Sequence, residues 1–391
     1  MPNVSANIPR LYLIHGLRWF FLVMPIIVLF FQDNGLSMTQ VFVLQSIFSV
    51  GLIVFEIPSG YFSDVVGRRT TIVIGCVLGF IGFLVYALSY GFWGFLIAEL
   101  ILGLGSSFIS GTDSALLYDS LAQIGRAGEY QKIEGRVLSV CHTSEGIAAI
   151  AGGLLATISL RTPLYVETAF CLLAIPVALT LVEPERRKFQ HDEGNWAGIL
   201  HIVKYAMHGH PQVKWLIIYS SVVGASTLTA VWFIQPYLKA IGLPLSLFGV
   251  VWAGLQFSVG IFALIAYRFE SLIGRRRTIL SLILLSATGY TLISVTGALW
   301  GMVFLILFYF VRGINEPVMR DYINRNITSE MRATVLSVRG LIGRLFFSVL
   351  GPLAGAVSDR YSLPLALAAC GAVFLALGIV SLNRLARHNA L

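Results

Sequence analysis

Charge is scarce in this chain. Asp, Glu, Lys and Arg make up 12% of its 391 residues, against about a quarter in a soluble domain. That shortage excludes an ordinary water-solvated globule. Cysteine is scarce as well. Cys76, Cys141, Cys171 and Cys370 all fall in apolar stretches without paired spacing, which argues against a disulfide frame or a cysteine metal site. They read as small buried hydrophobes. No His/Glu metal spacing, nucleotide-binding glycine loop or serine elbow is present, so no enzyme, resident metal or cofactor is expected. An ATP-driven pump is excluded because the chain has no soluble nucleotide-binding domain. Residues 1–10 lack the basic-then-apolar pattern of a cleavable signal peptide, and the first apolar run is expected to act as the insertion signal.

What the chain has is apolar length. It is 57% hydrophobic, with a mean hydropathy of +0.82. A helix crosses the hydrocarbon core with about 20 apolar residues. Twelve such runs are expected, at 11–31, 38–62, 70–90, 92–118, 134–158, 163–183, 215–238, 245–267, 278–297, 299–322, 331–357 and 362–383. Lipid offers no partner to a backbone N–H or C=O, so the runs should be helices. Twenty of the 27 Lys and Arg fall on one set of loops, and three (Arg161, Lys239, Arg360) on the other. This asymmetry puts both termini in the cytoplasm. The formal net charge of +8 is thereby a topology signal spread over short loops, which argues against nucleic-acid binding. Short loops also suit a bacterial inner membrane.

The chain also repeats itself. Residues 60–69 read GYFSDVVGRR and 266–277 read AYRFESLIGRRR, while VLSV occurs at 137–140 and again at 335–338. Two similar halves follow, 1–183 and 215–391, joined by a linker at 184–214. In the linker, Trp196, Ile199, Leu200, Val203 and Met207 recur at helical spacing. That pattern predicts an amphipathic helix on the cytoplasmic surface. The linker histidines His191, His201, His208 and His210 read as solvated surface groups.

The segment Gly60-Tyr61-Phe62-Ser63-Asp64-Val65-Val66-Gly67-Arg68-Arg69 resembles the signature of the major facilitator superfamily between spans two and three. Twelve spans in two sixes extend the resemblance over the whole chain. The resemblance implies an all-α fold of two six-helix bundles, transport by alternating access, and a gating latch formed by this loop. Gly60 would allow close helix approach. Asp64 would meet a neighbouring helix N-terminus or a basic residue. Gly67 would permit the tight turn, and Arg68 and Arg69 would hold the loop in the cytoplasm. The second copy keeps Gly274, Arg275 and Arg276 but places its acid at Glu270, one residue out of register. Many family exporters carry an arginine in span four. Here Glu99 stands at that position, followed by Gly103 and Gly105, which read as helix packing. The span-five proline of proton–drug antiporters is absent, and Gly351-Pro352 falls in span eleven.

An ionisable group inside a span is costly and is a functional candidate by default. The first half supplies Arg18, Glu56, Glu99, Asp113, His142 and Glu145, with His15 one turn before Arg18. The second supplies Arg312, Glu316, Arg339 and Arg344. On this reading, histidine aside, four acids oppose one base in the first half, and one acid opposes three bases in the second. The helical rise puts Arg18 roughly 12 Å in from the cytoplasmic end. The resemblance implies that spans one, four, seven and ten line a central cavity, which makes Arg18, Asp113 and Arg312 cavity residues. His142 and Glu145, three apart, share a face and suit a proton relay. Arg312 and Glu316, four apart, are expected to pair with each other. Arg339 and Arg344, five apart, point different ways, one toward the cavity and one bracing a neighbour.

These placements suggest a division of labour. Asp113, Glu145, His142, Glu56 and Glu99 are candidates to carry protons, and the arginines are candidates to attract an anionic or zwitterionic substrate. A mixed wall of Trp232, Gln235, Trp252, Gln256, Tyr309 and Asn315 fits an amphipathic organic ligand. Pro25 and Pro236 are expected bending points. The expected activity is proton-coupled export of a small amphipathic compound by a monomer in a lipid bilayer. Transport of an organic anion, such as a carboxylate metabolite or a metal chelator, and gradient-independent uniport are the alternatives.

Overall fold

The computed structural model describes residues 4–185, 209–328 and 331–388. The expected linker helix, with Trp196, Ile199, Leu200, Val203 and Met207, lies outside them. The described residues form helices joined by short turns, with no strand among them, as a backbone in lipid requires. Eleven helical stretches among the described residues are long and apolar enough to cross a membrane. Their outward faces are strongly apolar: Leu264 is 85% exposed and Leu272 82%. In water such faces would aggregate, whereas in a bilayer they meet their proper solvent. This is a multi-pass membrane protein.

The expected first span is missing from the eleven because it is split in two. Helix α1 (Asn7–Arg18) stops at Arg18, and α2 runs only Ile27–Asp33. Pro25 lies in the gap, has no N–H to donate and disfavours a helical conformation at the residue before it. The expected fourth span is also divided. It consists of α5 (Gly91–Ile109) and α6 (Thr112–Gln123), joined through Gly111 at φ 78°.

Contacts sort the chain into two compact units. One comprises Met1–Leu36, Ile47–Lys188 and Pro244–Ala253, the other Ser37–Ser46, Phe189–Leu243 and Gly254–Leu391. In the first, α4 (Arg68–Leu88) lies between α5 and α8 (Thr162–Leu179), with α7 (Tyr130–Leu155) against α1. Small residues set the α4–α5 distance. A Cβ on Gly82 would lie 2.6 Å from the Leu102 side chain, and one on Gly105 would lie 2.9 Å from Leu78 Cβ. Gly105 is therefore a packing glycine, as its apolar setting suggests.

In the second unit, α9 (Pro211–Ala240) is the central helix. Within its membrane window 83% of residues are buried, which fits a helix that is apolar on all sides. It packs on α12 (Leu305–Asn324), α13 (Arg332–Arg360) and α14 (Leu363–Arg387), and α14 packs on α11 (Arg275–Val295). Helices α3 (Met38–Val66) and α10 (Phe248–Ile273) each contribute to both units. Asp359, at the end of α13, caps α3. It accepts from Met38 N at 2.8 Å, Thr39 N at 2.7 Å and Thr39 Oγ1 at 2.6 Å, and a carboxylate suits the positive end of a helix.

The repeated loop is built around two glycines. Gly67 (φ 127°) precedes α4 and Gly274 (φ 80°) precedes α11, conformations that favour glycine. The rest of the expected latch differs. Gly60 is exposed, and a Cβ there would meet nothing within 4 Å, so it does not mediate a close helix approach. The acid at the N-terminus of α4 is Glu183, which accepts from Arg68 N at 3.0 Å and Arg69 N at 2.7 Å. Asp64 is exposed. The Arg68 side chain bonds Asp119 and the Ala115 carbonyl on α6, and Arg69 donates to Leu179 O at 2.7 Å. In the second copy, Glu270 accepts from the Tyr322 hydroxyl at 2.8 Å, and Arg275 lies 4.4 Å over the Tyr322 ring.

Candidate functional site

The break in the first span gathers the chemistry of the first unit. Residues 19–26 lack regular helical hydrogen bonds, and irregular backbone at membrane depth persists only where protein or a cavity surrounds it. Helix α8 provides Phe170, whose ring stacks on Phe20 at 4.3 Å. His142 of α7 meets Trp19 edge-on at 5.9 Å. Gly152 of α7 lies directly against the Leu22 carbonyl. Glu167 of α8 accepts the Val23 N–H at 2.9 Å. Each neighbouring span thus contributes a shape or a bond that fits the interruption.

Arg18 terminates α1 at the edge of the break, where the negative end of the helix dipole favours a cation. It makes no hydrogen bond or ion pair among the described residues. One turn back, His15 Nε2 lies 3.3 Å from Asp113 Oδ2, with His15 only 8% exposed. Asp113 sits in the first turn of α6 and accepts the Ser114 N–H at 2.7 Å. Gly111 makes the bend that turns this helix start toward α1. The pairing of His15 with Asp113 is not visible in the sequence, because it joins two spans through that bend.

Other candidates have structural partners or exposed positions. His142 and Glu145 lie 4.0 Å apart, His142 largely exposed and Glu145 buried. Glu99 is buried and accepts a hydrogen bond from Tyr86. Glu56 is exposed. The first half holds a fifth acid within a span, Glu167 of α8, beyond the four expected. It lies close to the end of its span, where acids are ordinary, yet it is 1% exposed. Its place inside the expected span 163–183 was the sequence signal that marked it.

In the second unit the expected Arg312–Glu316 pair does not form. Glu316 instead holds Arg339 of α13 in a fork, Nη1 to Oε1 at 3.1 Å and Nη2 to Oε2 at 2.9 Å. The Arg339 Nε donates to Ser220 Oγ, and Ser221 Oγ donates to Arg339 O at 3.1 Å. Asn315 Nδ2 reaches Ser220 O at 3.4 Å. A guanidinium has five donors in a planar fork and suits this two-helix clamp. Arg339 is thus the bracing member of its pair with Arg344, which is half-buried.

Arg312 and Arg320 lie two turns apart on α12, with Glu316 between them, and all three line a cavity of 580 Å³. Val259 and Ala263 of α10 form its apolar side. The aromatic and amide candidates are mostly buried. Trp232, Gln235 and Tyr309 are 8%, 1% and 1% exposed, and Trp252 is 3% exposed, while Gln256 is half-buried. Among the described residues no group of His, Cys, Asp and Glu could hold a metal ion.

Comparison with known proteins agrees with this architecture. The chain is 21% identical over 372 residues to the uncharacterized MFS-type transporter YxaM of Bacillus subtilis, covering 91% of this chain and 90% of that protein. It is 21% identical over 166 residues to the quinolone resistance protein NorA of Staphylococcus aureus, 42% of each chain. The crystal structure of the nucleoside transporter NupG superposes with a TM-score of 0.81 at 15% identity, over 98% of this chain and 99% of that one. A bacterial homologue of the lysosomal transporter Spinster does so with a TM-score of 0.75 at 16% identity, over 100% and 98%. These structures share the fold. The family model of the Major Facilitator Superfamily matches residues 11–346, taking in the split first span, the glycine loop and the charged helices of both units, so the chain belongs to that family of membrane transporters and is not an enzyme.

Proposed function

We propose that this protein is a proton-coupled secondary transporter that exports a small amphipathic organic compound across a bacterial inner membrane. In this reading α1 and α2 together make a twelfth crossing. Both termini and the 184–214 linker face the cytoplasm, and a monomer rocks two six-span halves about the substrate.

One observation carries the coupling: the buried His15–Asp113 contact at 3.3 Å. A histidine and a carboxylate this close form a neutral ion pair with the shared proton on the imidazole, and carry a net single negative charge without it. Glu145 and His142 stand nearby on α7 as a second station. Arg18 makes no ion pair among the described residues, and its attraction to the Asp113 carboxylate would change as the pair takes up a proton. The similarity to NorA, over part of the chain, favours export. Asp113→Asn should abolish substrate-driven proton flux in proteoliposomes while leaving folding and substrate counterflow in place. Unchanged proton coupling in this variant would remove Asp113 from the mechanism.

A second reading is favoured by the cavity on α12. With Glu316 committed to Arg339, Arg312 and Arg320 are left to attract an anionic group such as a carboxylate or phosphate. Under this reading the substrate is an organic anion. Flux evoked by anions, and lost in Arg312→Gln, would support it over the first reading.

A further inference from the structure

We propose that Glu167 is a proton-binding site whose occupancy sets how firmly the break in the first span is held. This rests on the proton coupling proposed above but concerns a different carboxyl on the other side of Arg18. Glu167 is 1% exposed and lies on α8, six residues into the helix. Its Oε2 accepts the Val23 N–H at 2.9 Å. Its Oε1 is buried and has no hydrogen-bond partner. The next amide along, Leu22 N–H, is already bonded to Phe20 O at 3.0 Å. Glu167 makes no ion pair among the described residues.

The surrounding titratable groups on each packed element are few. On its own helix, Cys171 lies one turn further on. Arg18 of α1 and Cys76 of α4 act electrostatically on that same Cys171, and further ionisable groups on packed helices are Tyr86 of α4 and His142 and Glu145 of α7. Tyr86 is bonded to Glu99, and His142 and Glu145 face each other. None of the six bonds Glu167.

The vacant Oε1 is where a proton fits. Protonation forms an O–H on Oε1 and leaves Oε2 accepting from Val23 as a neutral carbonyl oxygen. Release of that proton leaves a carboxylate held by backbone amides of the break, that of Val23 foremost. A hydrogen bond to an ionised acceptor is roughly twice as strong as a neutral one. Proton release therefore tightens the strap between α8 and the break, and proton uptake loosens it. Val23 has no helical role to return to within 19–26, so the strap, together with the Phe20–Phe170 stack, holds this stretch beside α8. Asp113 reads the cytoplasmic half of the first span and Glu167 the outer half, with Arg18 between them.

The test uses the full chain in lipid nanodiscs and proteoliposomes. Infrared difference spectra across a pH titration should contain a protonated-carboxyl C=O band. That band should vanish in Glu167→Gln and shift in frequency in Glu167→Asp. Gln keeps an oxygen for the Val23 amide, so substrate counterflow should persist while the pH dependence of flux flattens by at least tenfold. Glu167→Asp gives a second reading if the Gln variant assembles poorly. An infrared band unchanged in both variants, or absent from the wild type, would overturn the proposal. Wild-type protein that shows the Glu167 band but moves no protons with substrate would refute the proposed coupling and leave this proton site standing.

Discussion

Replacing Gly152 by alanine puts a methyl carbon where the backbone of Leu22 lies. The new Cβ would collide with the Leu22 carbonyl oxygen and sit 2.7 Å from its carbon and 3.0 Å from its Cα. All three atoms are backbone, so no side chain can rotate away. Gly135, on the same helix, is exposed, and a Cβ there meets nothing within 4 Å. Overpacking of this severity costs about 3 kcal/mol, offset by about 1 kcal/mol from alanine's better helix propensity. Gly152→Ala should therefore lose about 2 kcal/mol, and Gly135→Ala should gain about 1 kcal/mol. If the whole chain unfolds together at about 2.1 cal/mol/K per residue, one degree is worth about 0.8 kcal/mol. The expected shifts are then a fall of about 2–3 °C and a rise of about 1 °C. Helices that stay formed in the membrane add no unfolding entropy, so these values are a floor. Thermal unfolding in detergent, followed by size exclusion, reads both. A Gly152→Ala protein as stable as Gly135→Ala would refute the idea that α7 is fitted to the interrupted span.

Further outcomes follow from the two clusters. Glu316→Gln strips the counter-ion from Arg339, which is 9% exposed. Glu316 itself is well exposed, which limits the loss to about 1–3 kcal/mol. Thermal unfolding of the single variant and of Glu316→Gln combined with Arg339→Met checks this, since the double variant should regain part of the loss. Arg161 donates to Ala87 O at 2.8 Å and Ser89 O at 2.9 Å, bonds Asn34, and lies 4.0 Å over the Tyr90 ring. Arg161→Ala should cost about 2 kcal/mol by freeing those carbonyls, and proteolysis of the loops at residues 34–37 and 89–90 should accelerate.

The spans were legible in the sequence because a membrane helix announces itself by composition. The paired glycine loops were legible because only glycine takes the positive φ of Gly67 and Gly274. Partner choice was not. Sequence spacing finds neighbours on one helix, such as His142 and Glu145, but the Arg339–Glu316 fork and the His15–Asp113 pair join separate helices. The Arg312–Glu316 expectation failed for this reason, since the buried Arg339 offers Glu316 a two-pronged fork from another helix. Glu183, which follows α8, meets the start of α4, a contact between distant segments that spacing does not show. Pro25 signalled a bend, while the extent of the break, and the fit of Gly152 and Glu167 to it, appears in contacts between separate helices.

The central claim is substrate-coupled proton movement through the first unit. Proteoliposomes carrying an internal pH dye, challenged with organic anions, zwitterions and cationic lipophiles, test it most directly. The account predicts a substrate-evoked pH change in wild-type vesicles that is lost in Asp113→Asn. Substrate flux with no pH change in wild-type vesicles would contradict it.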